Sequence, residues 1–159
     1  MKIVSLPYRT AISEALNGHV VYSGIGIPTY EEYVQVTASR PIGYVPKGTE
    51  EVGCYIILLN QTSNDNSAKC TRNDDVSIQA QITTEWTSNK GGSKLAEEIA
   101  ELVVNRLFDA DGLFNILTLD EPLSLWKGEL ESIQNINYDL TSSRVWITQL
   151  LITGSITQG

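Results

Sequence analysis

Four consecutive residues, Gly91-Gly92-Ser93-Lys94, put two glycines, a hydroxyl and an ammonium at the start of an apolar-periodic stretch, the composition of a phosphate-cradling loop. A Walker-type loop needs an opening glycine, a spacer, then Gly-Lys-Ser/Thr, because lysine and hydroxyl meet phosphate and metal in that order. Here the hydroxyl precedes the lysine, and Ser88 and its neighbours supply no opening glycine, so the segment reads as a turn with Ser93 capping a helix. Asp109-Ala110-Asp111-Gly112 opens like a calcium loop, but the twelfth position is Asp120 rather than a bidentate Glu, and a surface turn after a helix is expected. His19 is the only histidine and falls between a helix-ending glycine and a strand, without a nucleophile elbow to serve. Acidic pairs at Glu31-Glu32, Glu50-Glu51, Asp74-Asp75 and Glu97-Glu98 are expected in loops or on a polar helix face, where solvated charge is the ordinary state. Trp86, Trp126 and Trp146 lack the surrounding cations of a base-stacking platform and read as core anchors or interface plugs. No catalytic, cofactor-binding or metal-ligating set emerges.

The elements that would carry these residues can be read from periodicity. Ser5 is placed to cap a short helix with Pro7 in its first turn and Tyr8, Ala11, Ile12, Ala15 and Leu16 on one face, ended by Asn17-Gly18. Two extended runs around Ser23-Gly24 form a hairpin candidate, and Pro28 marks an edge strand because it cannot donate to a ladder. The segment 37–53, rich in Pro, Gly and charge, reads as a projecting arm, and 63–74 as a long loop between strands. Cys54–Thr62 is apolar at both parities in its first half, which predicts a central strand covered on both faces. From Asp75 to Trp86 alternation is nearly perfect: Val76, Ile78, Ala80, Ile82 and Trp86 point one way, and Ser77, Gln79, Gln81, Thr83 and Glu85 the other. A helix over 93–108 presents Leu95, Ile99, Leu102, Val103 and Leu107 to a sheet. Two final strands follow a loop at 109–128, the first with a bulge expected near Gln134-Asn135. These elements predict one α+β domain over 1–159: an antiparallel or mixed sheet of about five or six strands with both helices on one face.

Bulk composition narrows the function. A formal charge of −8 argues against sequence-independent grip on nucleic acid, which needs surplus Lys and Arg. The N-terminus lacks the apolar core of a secretion signal and no run is long enough to span a bilayer, so cytosolic synthesis is the expectation. Two cysteines, Cys54 and Cys70, are too few for a disulfide scaffold and read as reduced thiols.

The combination of an N-terminal TAISEALNG helix, VVYSGIGIPTYEEY, the strand reaching Trp86-Thr87-Ser88, a turn to Gly91, an acidic amphipathic helix and two closing strands ending RVWITQLLI resembles the tail terminator (tail completion) proteins of tailed bacteriophages. The resemblance spans nearly the whole chain in element order. It departs at Cys54-Tyr55, where the family usually has Pro-Tyr, and at the 37–53 arm, which looks like an insertion. The resemblance implies a non-enzymatic virion subunit, made in the host cytoplasm, that forms a homo-hexameric ring. Its expected partners are the tail tube and the head-tail connector, and DNA would meet it only as passing cargo. Another neck or tail-tube component is the alternative within the structural class, and a small soluble enzyme or ligand-binding module is the alternative outside it. The uncharged polar run Gln79, Gln81 and Thr83, with Glu85 beyond it, is the candidate subunit interface, since a closed ring needs partner-facing patches.

Overall fold

The computed structural model describes residues 4–31, 43–48, 50–65, 72–87, 91–114, 117, 119–139 and 144–158. Helix α1 (Ser5–Leu16) buries Tyr8, Ile12 and Leu16 completely, an i, i+4 row on one face. Val4, not Ser5, holds its cap position, and Ser5 is the first helical residue. The hairpin β1 (Val20–Tyr22) and β2 (Ile25–Ile27) turns through Ser23 and Gly24, both at positive φ (50° and 78°), the geometry of a type I′ turn. Pro28 leads into β3 (Thr29–Tyr30), which pairs parallel with one edge of β5 (Glu50–Asp65). Further along that same edge, β4 (Gly43–Lys47) pairs antiparallel with β5. Next come β6 (Arg72–Trp86), α2 (Lys94–Leu107), β7 (Leu123–Asp139) and β8 (Arg144–Gln158). The main sheet is six-stranded and mixed, in the order β3-β5-β6-β8-β7 with β4 beside β3 on β5; β1 and β2 form a separate two-stranded sheet.

Both helices lie on one face. Tyr8, Ile12 and Leu16 of α1, and Leu95, Ala96, Ile99, Ala100, Val103 and Leu107 of α2, share one buried cluster with Ile56, Leu58, Ile78, Ala80, Ile82, Leu150 and Ile152 of the sheet. Ala96 and Ala100 take part of the stripe expected of Leu102, which is half-buried; small side chains let α2 lie close on β6 and β8. The α+β class and the single domain hold, with eight strands among the described residues, six in the main sheet and two in the hairpin, where five or six in all were expected.

The additional strands come from segments whose composition resembles loop. Within the expected arm 37–53, Gly43–Lys47 pairs antiparallel with the start of β5, and Gly48 follows it at φ 66°; residues 37–42 and 49 lie outside the described set. Proline is tolerated there because β4 is an edge strand. The expected loop 63–74 is shorter, since β5 runs to Asp65 and β6 begins at Arg72. Asp74, 3% exposed, meets Arg72 at 3.3 Å, and Arg72 also reaches Asp65 at 3.7 Å, so this polar ladder end is tied by charge. Of the acidic pairs, Glu50-Glu51 and Asp74-Asp75 therefore sit in strands rather than loops, with neighbours pointing to opposite faces. Strand β7 begins at Leu123, inside the segment expected as loop, and its register shifts at Leu125/Lys127 and Leu130/Ser132, not at Gln134-Asn135. The change of apolar parity between Ile133 and Ile136 needs no bulge: the two face opposite sides, paired with Leu150 and Ile147.

Candidate assembly surface

The strand register assembles the four residues singled out in sequence on the sheet face turned away from the helices. Gln79, Gln81, Thr83 and Glu85 alternate along β6, the strand between β5 and β8. Three cross-strand rows run through them: Tyr55–Thr83–Ile147–Ile136, Ile57–Gln81–Gln149–Gln134 and Leu59–Gln79–Leu151–Ser132. Gln79 Nε2 donates to Gln149 Oε1 across a diagonal at 2.9 Å, and the Tyr55 hydroxyl donates to Glu85 at 3.0 Å. Thr83 is only 3% exposed, enclosed within its own chain, while Gln79, Gln81 and Glu85 remain half-exposed. The face thus mixes amides and hydroxyls with apolar side chains: Tyr55 and Ile57 are buried in it, while Leu59, Ile136, Ile147 and Leu151 are half-exposed beside the glutamines.

Towards the other end of this face, the bulges in β5 and β7 open a cleft of about 460 Å³ lined by Thr62, Asp75, Ser77, Glu129 and Thr153 among others. Asp75 accepts from the Ser155 hydroxyl at 2.9 Å, and Thr62 and Ser77 share a hydrogen bond. Carboxylates at Asp75, Glu85 and Glu129 give the wall a negative bias. Among the described residues, no group of three or more His, Cys, Asp or Glu side chains is arranged to hold a metal ion.

The residues weighed for chemistry take architectural places. Gly91 has φ +101°, and a Cβ there would lie 2.4 Å from the Trp86 ring, so the glycine corner is shaped by the tryptophan beneath it. Ser93 holds the cap position of α2 without a side-chain capping bond, and Lys94 lies 3.9 Å from Glu98 on the next turn. The Asp109 carboxylate accepts from the backbone N–H groups of Asp111 and Leu113, which closes the DADG segment as a turn. His19 is exposed, its N–H donating to the Leu16 carbonyl at the end of α1. Burial pushes the Cys54 thiol up to about 12 despite the opposing charge of Lys47, so it is a protonated core residue. Cys70, Glu32 and the Trp126 side chain lie outside the described residues.

Two features had little signal in the sequence. Tyr22 donates to Glu98 and accepts from Lys47 Nζ at 2.7 Å, tying the β1–β2 hairpin to α2 and β4; this hydrogen bond is the main reason the Lys47 pKa is raised, with burial acting against it. On the opposite flank of α2, an apolar groove of about 330 Å³ lies over β7, floored by Leu130, Ile133 and Leu150 and edged by Glu97 and Glu101. Ile133 is 59% exposed, although its register partner Leu150 is fully buried. Its one sequence signal is the change of apolar parity between Ile133 and Ile136 in the otherwise polar run Ser132–Asn137.

No family model matches the chain, and no curated protein matches it by sequence. Among solved structures, it is similar to a chain in a structure titled "Virion of native gene transfer agent (GTA) particle", with 15% identity, 99% of each chain covered and a TM-score of 0.66; what the two share is the fold, end to end.

Proposed function

We propose that this protein is a structural subunit of a phage-like virion, a tail-terminator-like ring component that caps the tail tube, stops its growth and offers a joining surface to the head connector. The observation that carries the reading is the likeness in fold to a virion chain, which covers 99% of each of the two chains at a TM-score of 0.66. The amide-bearing face through Gln79, Gln81 and Gln149, which also carries carboxylates, agrees with it, because such a face suits contact with neighbouring subunits or a lumen through which DNA passes without sticking. The buried Cys54 thiol and the solvent-facing His19 are poor catalytic groups, which fits a non-enzymatic role. In this reading the partners are further copies in a six-fold ring, the tail-tube protein below and the connector above.

Electron microscopy of particles made without this protein tests the reading. Overlong tails, or tails that fail to join heads, are expected. Joined tails of normal length would exclude termination, and a reconstruction placing the chain in another tail layer would assign it to that layer instead.

A further inference from the structure

The two lateral edges of the main sheet are finished differently. On the β5 edge, β4 pairs with Glu50–Cys54 and β3 with Ile56 and Ile57. The Ile56 N–H donates to the Pro28 carbonyl at 2.9 Å, and the Arg9 guanidinium donates to the Leu58 carbonyl just past the end of β3. Strand β4 is itself blunted by Pro46, which has no N–H to offer, and by β2, whose Gly26 and Ile27 lie against Gly43. On the other edge, β7 pairs with β8 alone among the described strands. From Ser132 to Asp139 that pairing runs without a register shift, so every second residue turns its N–H and C=O outward. Soluble proteins blunt such an edge with Lys, Pro, bulges or short length. The bulges of β7 all precede Ser132, and Ser132–Tyr138 (SIQNINY) contains no charge and no proline. Ile133, 59% exposed, faces the helix side, and half-exposed Ile136 faces the outer side.

We propose that Ser132–Asp139 is a docking edge that accepts an extended segment of a different protein as an added antiparallel strand. Backbone pairing supplies the affinity and alternate side chains the selection. The chemistry of the segment follows from the edge. Branched apolar residues three apart stand opposite Ile136 and Ile133, one on each face, with hydroxyl or amide residues between them against Asn135 and Gln134. Lys or Arg follows at the C-terminal end of the segment, where Glu129 and Glu131 are exposed beside the bulge. A second copy fits worse. Its β5 edge is closed from Glu50 to Leu58, and β7 paired with itself about Asn135 sets Ile133 against Asn137 and Ile136 against Gln134, apolar against amide on both faces. The edge is present in the single chain, so the inference does not depend on a ring.

Titration of the full-length protein with the end-capped peptide Thr-Ile-Thr-Gln-Ile-Thr-Lys-Lys, followed by fluorescence anisotropy and amide hydrogen exchange, tests it. Alternate amides within Ser132–Asp139 are expected to exchange at least tenfold more slowly with peptide bound. Methylating alternate backbone nitrogens of the peptide should weaken binding at least tenfold for the set that faces β7 and far less for the other set, a difference that side-chain contact alone does not produce. Ile133→Lys, at an exposed position, should weaken binding at least tenfold with an unchanged melting temperature. Equal loss from both methylated sets, or no slowing of exchange at millimolar peptide, would overturn the proposal. Slow exchange of the same amides without peptide, growing with protein concentration, would give the edge to a second copy and overturn it as well.

Discussion

Gly91 shows how a residue chosen for one chemistry can be explained by another. A phosphate loop uses glycine so that the backbone can approach an anion, whereas Gly91 is needed because its φ of +101° and the Trp86 ring leave no room for a Cβ. Gly91→Ala should therefore cost about 1–3 kcal/mol in chemical denaturation, the range for strained backbone positions; an unchanged midpoint would show that the corner yields easily. The Cys54 thiol offers a second test. Its folded pKa, about 12, lies above the 9.0 of a solvated thiol because burial penalises the thiolate. The folded protein therefore retains a proton that the unfolded chain loses, so this contribution is intact below about pH 9 and declines between pH 9 and 12. Cys54→Ala should flatten that decline relative to the native chain, and Cys54 should resist alkylation at pH 8 until denaturant is added.

Local elements were legible where side-chain periodicity met a single dry face. The alternation of β6 from Val76 to Ile82, the hairpin at Ser23-Gly24 and, apart from Leu102, the stripe of α2 appear as expected, because each pattern reports burial against one neighbour. Strand β4 and the polar ends of β5 and β6 escaped notice because their pairing rests on backbone ladders and on Arg72 with its two carboxylates, which produce no apolar rhythm. The hairpin turn is open to improvement: Ser23 holds φ 50°, where Asn is better tolerated. Ser23→Asn should stabilise by roughly 0.5 kcal/mol in thermal or urea melts, and a loss of stability would argue against the type I′ geometry. In the core, Ile99→Ala removes a fully buried side chain between α2 and the sheet and should cost about 2–4 kcal/mol, measured as a fall in the urea midpoint.

At the scale of the whole molecule, net charge and the outer wall lead to a prediction about DNA. With a formal charge of −8 and with Gln79, Gln81 and Gln149 at the centre of the face, the protein should show no binding to duplex DNA near physiological salt by fluorescence anisotropy. Gln79→Arg with Gln149→Arg should create an affinity that falls steeply as salt rises, because the added cations would displace counterions from phosphates. Micromolar binding by the native chain would sink the proposal of a non-adhesive lumen wall.

What the amino-acid sequence determined by itself was class and polarity: an acidic α+β chain, two helices for one sheet face, and an alternating strand whose other face is polar. Those features follow from composition and from periods of two and 3.6, which each segment carries alone. Tertiary structure decided which strands are neighbours, that Thr83 is enclosed by its own chain while Gln79 and Gln81 are half-exposed, and that Ile133 is largely exposed on β7. Those properties depend on pairings between residues far apart in the chain, such as Gln79 with Gln149 and Ile133 with Leu150, and no local period encodes such a pairing.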